Sequence, residues 1–120
     1  MRTKLMEVTL PCRQYTSTRY FYTQTLGLTV GKEGRHHCFL DTGGSMRLAL
    51  VDAAQLGPKG LPTGRGTILN LSSDGLSALK RRLSESGVRI DQETDDQYGR
   101  NVTVRDPEGN VVNVFQDGSF

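Results

Sequence analysis

The residues with the most obvious chemistry are His36-His37-Cys38, a run that carries the donor types of a zinc site. Consecutive strand residues point to opposite faces, so at most His36 and Cys38 converge. No second His or Cys pair completes a set of four ligands, Cys12 aside. The simpler reading is a strand with two surface imidazoles and a buried thiol. A carboxylate and a guanidinium stand out next. Glu7 and Thr9 alternate with Val8 and Leu10, which puts Glu7 on the polar side of a half-buried strand. Arg47 alternates with Leu48 and Leu50 and shares its side with Ala49 and Val51. An arginine so placed pairs with a carboxylate such as Glu7, reaches solvent, or offers its flat fork to a ligand's carboxylate, phosphate or carbonyl. Asn70 and Ser72, opposite Leu69 and Leu71, add with Asn113 a set of uncharged donors and acceptors.

The elements that must position these residues repeat. Leu5 to Leu10 alternates as a strand, and Tyr15 to Leu26 reads as a helix with Thr16 or Ser17 as cap and Gly27 as its stop. Its apolar face takes Phe21, Tyr22 and Leu26. Leu28-Thr29-Val30 begins a second strand, which Gly31 and Gly34 interrupt. A hairpin follows, with strands near 36–41 and 46–51 around an Asp41-x-x-Gly44 turn. The segment 53–65, rich in Gly and Pro, is the one linker-like stretch. The order then recurs. Thr67 to Leu71 is a strand, Asp74 caps a helix whose Leu76, Leu79 and Leu83 form a stripe, and Gly87 ends it. Val88-Arg89-Ile90 begins another strand. A final hairpin turns at Asp106-Pro107-Glu108-Gly109, between runs of β-branched residues. The expected fold is α+β, with tandem βαβββ units at about 1–55 and 66–120 in a single domain over 1–120. One unit alone leaves a sheet face bare.

Whole-chain properties bound the function. At 120 residues, 35% hydrophobic and 23% charged, the chain is globular. A net charge of +2 with scattered Lys and Arg gives no footprint for nucleic acid. Lys80-Arg81-Arg82 is a solvated helix face. No apolar run is long enough to span a membrane, and the first residues lack a signal-peptide core, so the expected location is the cytoplasm. Cys12 and Cys38 read as reduced thiols.

Two βαβββ units, Tyr20-Phe-Tyr-x-x-x-Leu-Gly-Leu28 after the opening strand, and a terminal Gly-Arg-x-x-x-x-x-Asp-Pro-Glu-Gly-Asn110 resemble the vicinal oxygen chelate superfamily. That superfamily includes glyoxalase I, the bleomycin and fosfomycin resistance proteins, methylmalonyl-CoA epimerase and the extradiol dioxygenases. The resemblance implies a curved mixed sheet around a cavity with helices outside, and a homodimer with sites in its clefts. It also implies four metal-ligand places, which fall on Glu7, Ala49, Ile68 and Asn113, with Thr67 the alternative to Ile68. Only Glu7 suits a strong divalent site, so the expectation is no metal and no cofactor. The cavity side then carries Glu7, Thr9, Arg47, Ala49, Asn70, Ser72, Asn113 and Phe115, with Tyr98 in a bordering loop.

Three functions follow from that resemblance. The first is a metal-free protein like those of antibiotic resistance, binding an acidic or carbonyl-bearing small molecule. The second is a lyase, isomerase or dioxygenase with an atypical or absent metal site, in which Glu7 is a weak candidate base. The third is a dimeric interaction module without a small ligand. Cationic bleomycin itself is disfavoured by the positive net charge and by the few carboxylates on the cavity side.

Overall fold

A computed structural model describes residues 1–55, 63–97 and 99–118. The chain divides into two units, Met1–Thr63 and Gly64–Phe120. The first runs β1 (Glu7–Cys12), α1 (Tyr15–Tyr20), β2 (Thr29–Glu33), β3 (His37–Asp41) and β4 (Arg47–Asp52). The second repeats it with β5 (Ile68–Ser73), α2 (Leu76–Glu85), β6 (Gln92–Asp96), β7 (Gly99–Arg105) and β8 (Val111–Gln116). The sheets have the orders β1-β4-β3-β2 and β5-β8-β7-β6. In each, the first strand pairs in parallel with the last and the other pairings are antiparallel. This is the α+β architecture of tandem βαβββ units that the sequence predicts.

Period-two alternation sorts each strand. In the first unit Leu10, Cys12, Cys38, Leu40, Leu48 and Leu50 are buried, as are Thr18, Phe21, Tyr22 and Leu26 of the helical segment. In the second, the α2 stripe Leu76, Leu79 and Leu83 is buried, together with Val102, Val104, Val112 and Val114. At 3.6 residues per turn those leucines share one helix face.

Several boundaries differ from the sequence expectation, each for a physical reason. The first helix does not run as α-helix to Leu26; it becomes a π-helical turn at Phe21–Thr25. There the Thr23 hydroxyl donates to the Arg19 carbonyl at 2.7 Å, and Leu26 N–H reaches back to Phe21. A threonine hydroxyl bonding one turn back is a known disturbance of the helical ladder. Neither Thr16 nor Ser17 caps the helix; its N-cap is Gln14, with no side-chain cap. Val88 to Ile90 is not a strand, and β6 begins only at Gln92. Val88 N–H instead bonds to the Leu83 carbonyl, closing the end of α2 after Gly87, whose φ is +72°. At Gly31, where the sequence predicts an interruption, β2 runs on to Glu33 with a register shift between Val30 and Lys32. On the helix side of the first sheet, burial pushes the Tyr15 hydroxyl up to about 12, helped by the neighbouring Cys38 thiol.

The final hairpin turn forms as expected. Gly109 N–H donates to the Asp106 carbonyl, and the buried Asp106 carboxylate accepts from Glu108 N–H, Asn110 N–H and the Asn110 amide. Gly64 packs so closely on this turn that a Cβ there would stand 1.7 Å from the Glu108 carbonyl oxygen. Asp74 does not cap α2. The Leu76 N–H donates to Gln116 Oε1 at 3.1 Å, and Gln116 Nε2 donates to the Asp74 carbonyl at 3.1 Å. A side chain of the last strand thus closes the helix start. Gln116→Ala removes both bonds and is expected to lower stability by about 1–2 kcal/mol, measured by urea denaturation. Asp74→Ala is expected to have little effect.

Candidate functional site

The polar face of the first sheet is built on a single cross-strand rung. Glu7 on β1 is the register partner of Arg47 on β4, and Arg47 in turn faces Asp41 on β3. Arg47 Nε donates to Glu7 Oε1 at 2.5 Å, and the Thr9 hydroxyl donates to Glu7 Oε2 at 3.0 Å. Both carboxylate oxygens are therefore engaged, and Glu7 is not a free base. One rung further on, Thr9, Ala49 and Phe39 share a line across the sheet. Ala49 is fully buried, and Phe39 lies beneath the guanidinium, whose carbon is 3.9 Å from the ring centroid. That stacking holds the guanidinium flat. His37 continues the row, with its ring centroid 5.0 Å from that of Phe39. The sequence reading leaves Phe39 out of the site and takes His37 for a surface imidazole. The signal that finds them is parity, because Phe39 and His37 alternate with the buried Cys38 and Leu40.

The Arg47 guanidinium and, secondarily, the Thr9 hydroxyl hold the Glu7 carboxyl below its ordinary range. A group whose folded-state pKa is depressed contributes stability that is complete above its unfolded value and is lost as pH falls through the folded one.

The equivalent face of the second sheet is lined mainly by amides and hydroxyls, with Arg105 of β7, paired to Asp91, on the Ile68–Val111 rung. Asn70 on β5, Asn113 on β8 and Thr103 on β7 stand on one rung. Asn113 Nδ2 donates to Asn70 Oδ1 at 3.0 Å, and the Thr103 hydroxyl donates to Asn113 Oδ1 at 2.6 Å. Ser72, Phe115 and Asn101 form the next rung, where the Thr94 hydroxyl donates to Asn101 Oδ1. Thr103, Asn101 and Thr94 extend the polar row beyond the residues that the sequence singled out. Tyr98 lies outside the described residues.

The three consecutive residues of β3 and its approach separate as alternation requires. Cys38 is buried on the helix side, and burial pushes its thiol up. His36 Nδ1 stands 3.7 Å from Asp52 Oδ2. Among the described residues no group of three or more His, Cys, Asp or Glu side chains is placed to hold a metal ion.

The family model for the glyoxalase/bleomycin resistance protein/dioxygenase superfamily matches residues 4–114. The chain belongs to this superfamily. Among solved structures, TnmS3, an antibiotic binding protein from Streptomyces sp. CB03234, is 27% identical, with 96% of each chain covered and a TM-score of 0.72. A glyoxalase/bleomycin resistance protein from the same Streptomyces is 28% identical, with 94% of this chain and 100% of that one covered and a TM-score of 0.70. A lactoylglutathione lyase from Agrobacterium tumefaciens shares the fold at 21% identity, with 98% and 96% covered and a TM-score of 0.72. Comparison with curated proteins gave no match.

The four places that the superfamily resemblance assigns to a metal can now be tested against their chemistry. Glu7 and Ile68 each open the first strand of their unit, and Ala49 and Asn113 stand at matching rungs of β4 and β8. By register, Ile68 is the counterpart of Glu7. Glu7 is committed to Arg47 and Thr9, Ala49 has no donor, Ile68 presents hydrocarbon that is 61% exposed, and both ends of the Asn113 amide are bonded within the sheet. This donor set does not fit a divalent ion, which needs several free anionic or imidazole ligands.

Replacing Arg47 by Ala is expected to raise the Glu7 pKa toward the ordinary glutamate range, followed by NMR titration of its side-chain carboxyl. Thr9→Val is expected to raise it by less. The stability lost in Arg47→Ala should be about 1 kcal/mol or below, because the pair is partly exposed. That loss should be present at neutral pH and vanish as the solution is acidified through the lowered Glu7 pKa. A Glu7 titration unchanged by Arg47→Ala would mean that the pair is absent in solution.

Proposed function

We propose that this chain is a metal-free small-molecule-binding protein, which holds its ligand against the polar face of the first sheet in a cleft completed by a second copy of the chain. The observation that carries this reading is the state of Arg47. Among the described residues only Glu7 is hydrogen-bonded to its side chain, which is 44% exposed. A guanidinium has five N–H donors, so one carboxylate oxygen leaves donors over for a ligand. The ring of Phe39 beneath fixes the direction in which they point. The Asn70–Asn113–Thr103 row of the other unit offers uncharged hydrogen-bonding groups of the same kind. The likeness to an antibiotic binding protein over nearly the full length of both chains supports a ligand of drug-like size. Cys12 and Cys38 are buried and form no disulfide, which suits a reducing compartment, and we assign the protein to the cytoplasm.

The test is a thermal-shift screen with antibiotics, small acids and divalent metals, because a molecule that binds only the folded state raises Tm. A small organic molecule is expected to raise it and metals are not. Arg47→Ala should weaken the binding of that molecule by about tenfold or more, the worth of a charge-assisted hydrogen bond. Elemental analysis finding about one metal ion per chain, lost on Glu7→Ala, would overturn the metal-free reading. Light scattering should report a symmetric dimer at micromolar concentration. A monomer there would remove the shared cleft.

A further inference from the structure

We infer that Glu7 sets the class of ligand accepted at Arg47: it turns the guanidinium into an oriented donor of little net charge, which selects a neutral carbonyl oxygen over an anion. The inference rests on the proposed function in taking Arg47 as a ligand anchor. Three observations carry it. First, Glu7 Oε1 is 2.5 Å from Arg47 Nε, so any group at the remaining guanidinium donors stands within one guanidinium's width of a carboxylate. A ligand carboxylate there meets a like charge at close range, and the repulsion offsets much of its attraction to the arginine. A neutral carbonyl takes the same N–H donors with no such penalty.

Second, the neighbouring charges do not restore the balance. Asp41, the register partner of Arg47 on its other side, is a second carboxylate, so the rung holds two carboxylates and one guanidinium. Lys32, a cation on this face, lies opposite Phe39 on the edge strand β2, one rung away and exposed to screening by salt. Third, Glu7 is held at both of its carboxylate oxygens. Its second oxygen accepts from Thr9, and the guanidinium it holds is stacked on Phe39. The depressed Glu7 pKa agrees with a carboxylate that stays charged at neutral pH.

Benzamide and benzoate form a matched pair of probes, flat and of equal size, that differ in charge. Their affinities are read by NMR titration of the Arg47 and Phe39 resonances in the wild-type chain and in Glu7→Gln. Glutamine keeps an oxygen acceptor for Arg47 but removes the charge. Wild type should bind benzamide several-fold more tightly than benzoate. Glu7→Gln should move that ratio toward benzoate by about tenfold or more, on the scale of one charge-assisted contact. A wild-type preference for benzoate overturns the inference without any variant, and so does a ratio unchanged in Glu7→Gln. If neither probe perturbs Arg47 while the thermal-shift screen finds a ligand, the inference fails and the binding function stands. If no ligand is found by either route, both fail.

Discussion

Each four-stranded sheet has two faces and one helical segment to cover them, and the rest of the structure follows from that shortage. Alternation along every strand sends one set of side chains under the helix and the other set away from it. The helix side is closed by aliphatic packing, with Leu48 and Leu50 in one unit and Val112 and Val114 in the other fully or nearly fully buried. The opposite side is free to carry polar groups, provided they satisfy one another. They do so along the rungs of the sheet, Glu7 with Arg47 and Thr9, and Asn70 with Asn113 and Thr103. The function proposed above uses that second side, on a scaffold that serves many activities.

The two units write different things there. The first keeps a Glu7–Arg47 rung backed by an aromatic row, and the second keeps amides and hydroxyls beside an Arg105–Asp91 pair. Equivalent places carry Glu7 and Ile68, and Ala49 and Asn113, so the internal repeat preserves the backbone and not the chemistry. Coordination chemistry would need matched strong donors at those four places. At one rung the chain carries a covalently attached cation, the Arg47 guanidinium. Unlike a metal ion, such a cation cannot dissociate, and its donors are directional.

How much of this was legible in the sequence depended on the distance between interacting residues. The Asp106–Gly109 turn and its strands are local chemistry, and the residues at each turn position announce them. The α2 stripe is likewise written in its own spacing. The parity of Glu7, Arg47, Asn70 and Ser72 could be read strand by strand, and the Glu7–Arg47 pair was one of the alternatives it left open. The errors lie where distant residues decide. Asp74 looked like a cap because no local rule points to Gln116, which the parallel pairing of β5 with β8 brings to the helix start. Val88 and Ile90 have strand composition, yet the chain there is still closing the end of α2. The π-helical turn, where the Thr23 hydroxyl reaches back to the Arg19 carbonyl, has no counterpart in the helix-and-stop pattern of the segment. Phe39 was visible as an aromatic residue, but its place under Arg47 depends on the pairing of β3 with β4.

The parallel pairing of first strand with last also has a consequence for how the chain is made. Neighbouring strands in β3–β4 and β7–β8 meet across short turns, whereas β1 and β5 wait for a partner that is synthesised last in its own unit. Each opening strand emerges without its hydrogen-bonding neighbour and with Leu10, or Leu69 and Leu71, uncovered. The loop to be closed contains the whole helix and two other strands, and this is the slow, non-local kind of contact. Until it closes, a growing chain holds a hairpin with one raw edge and a strand that can pair with any edge offered. The repeat makes the two edges alike. The hazard during synthesis is therefore a mistaken partner, β1 with β8 or β5 with β4, and the Glu7–Arg47 rung, absent at the matching place in the second unit, is a feature that tells the correct pairing of the first from the wrong one.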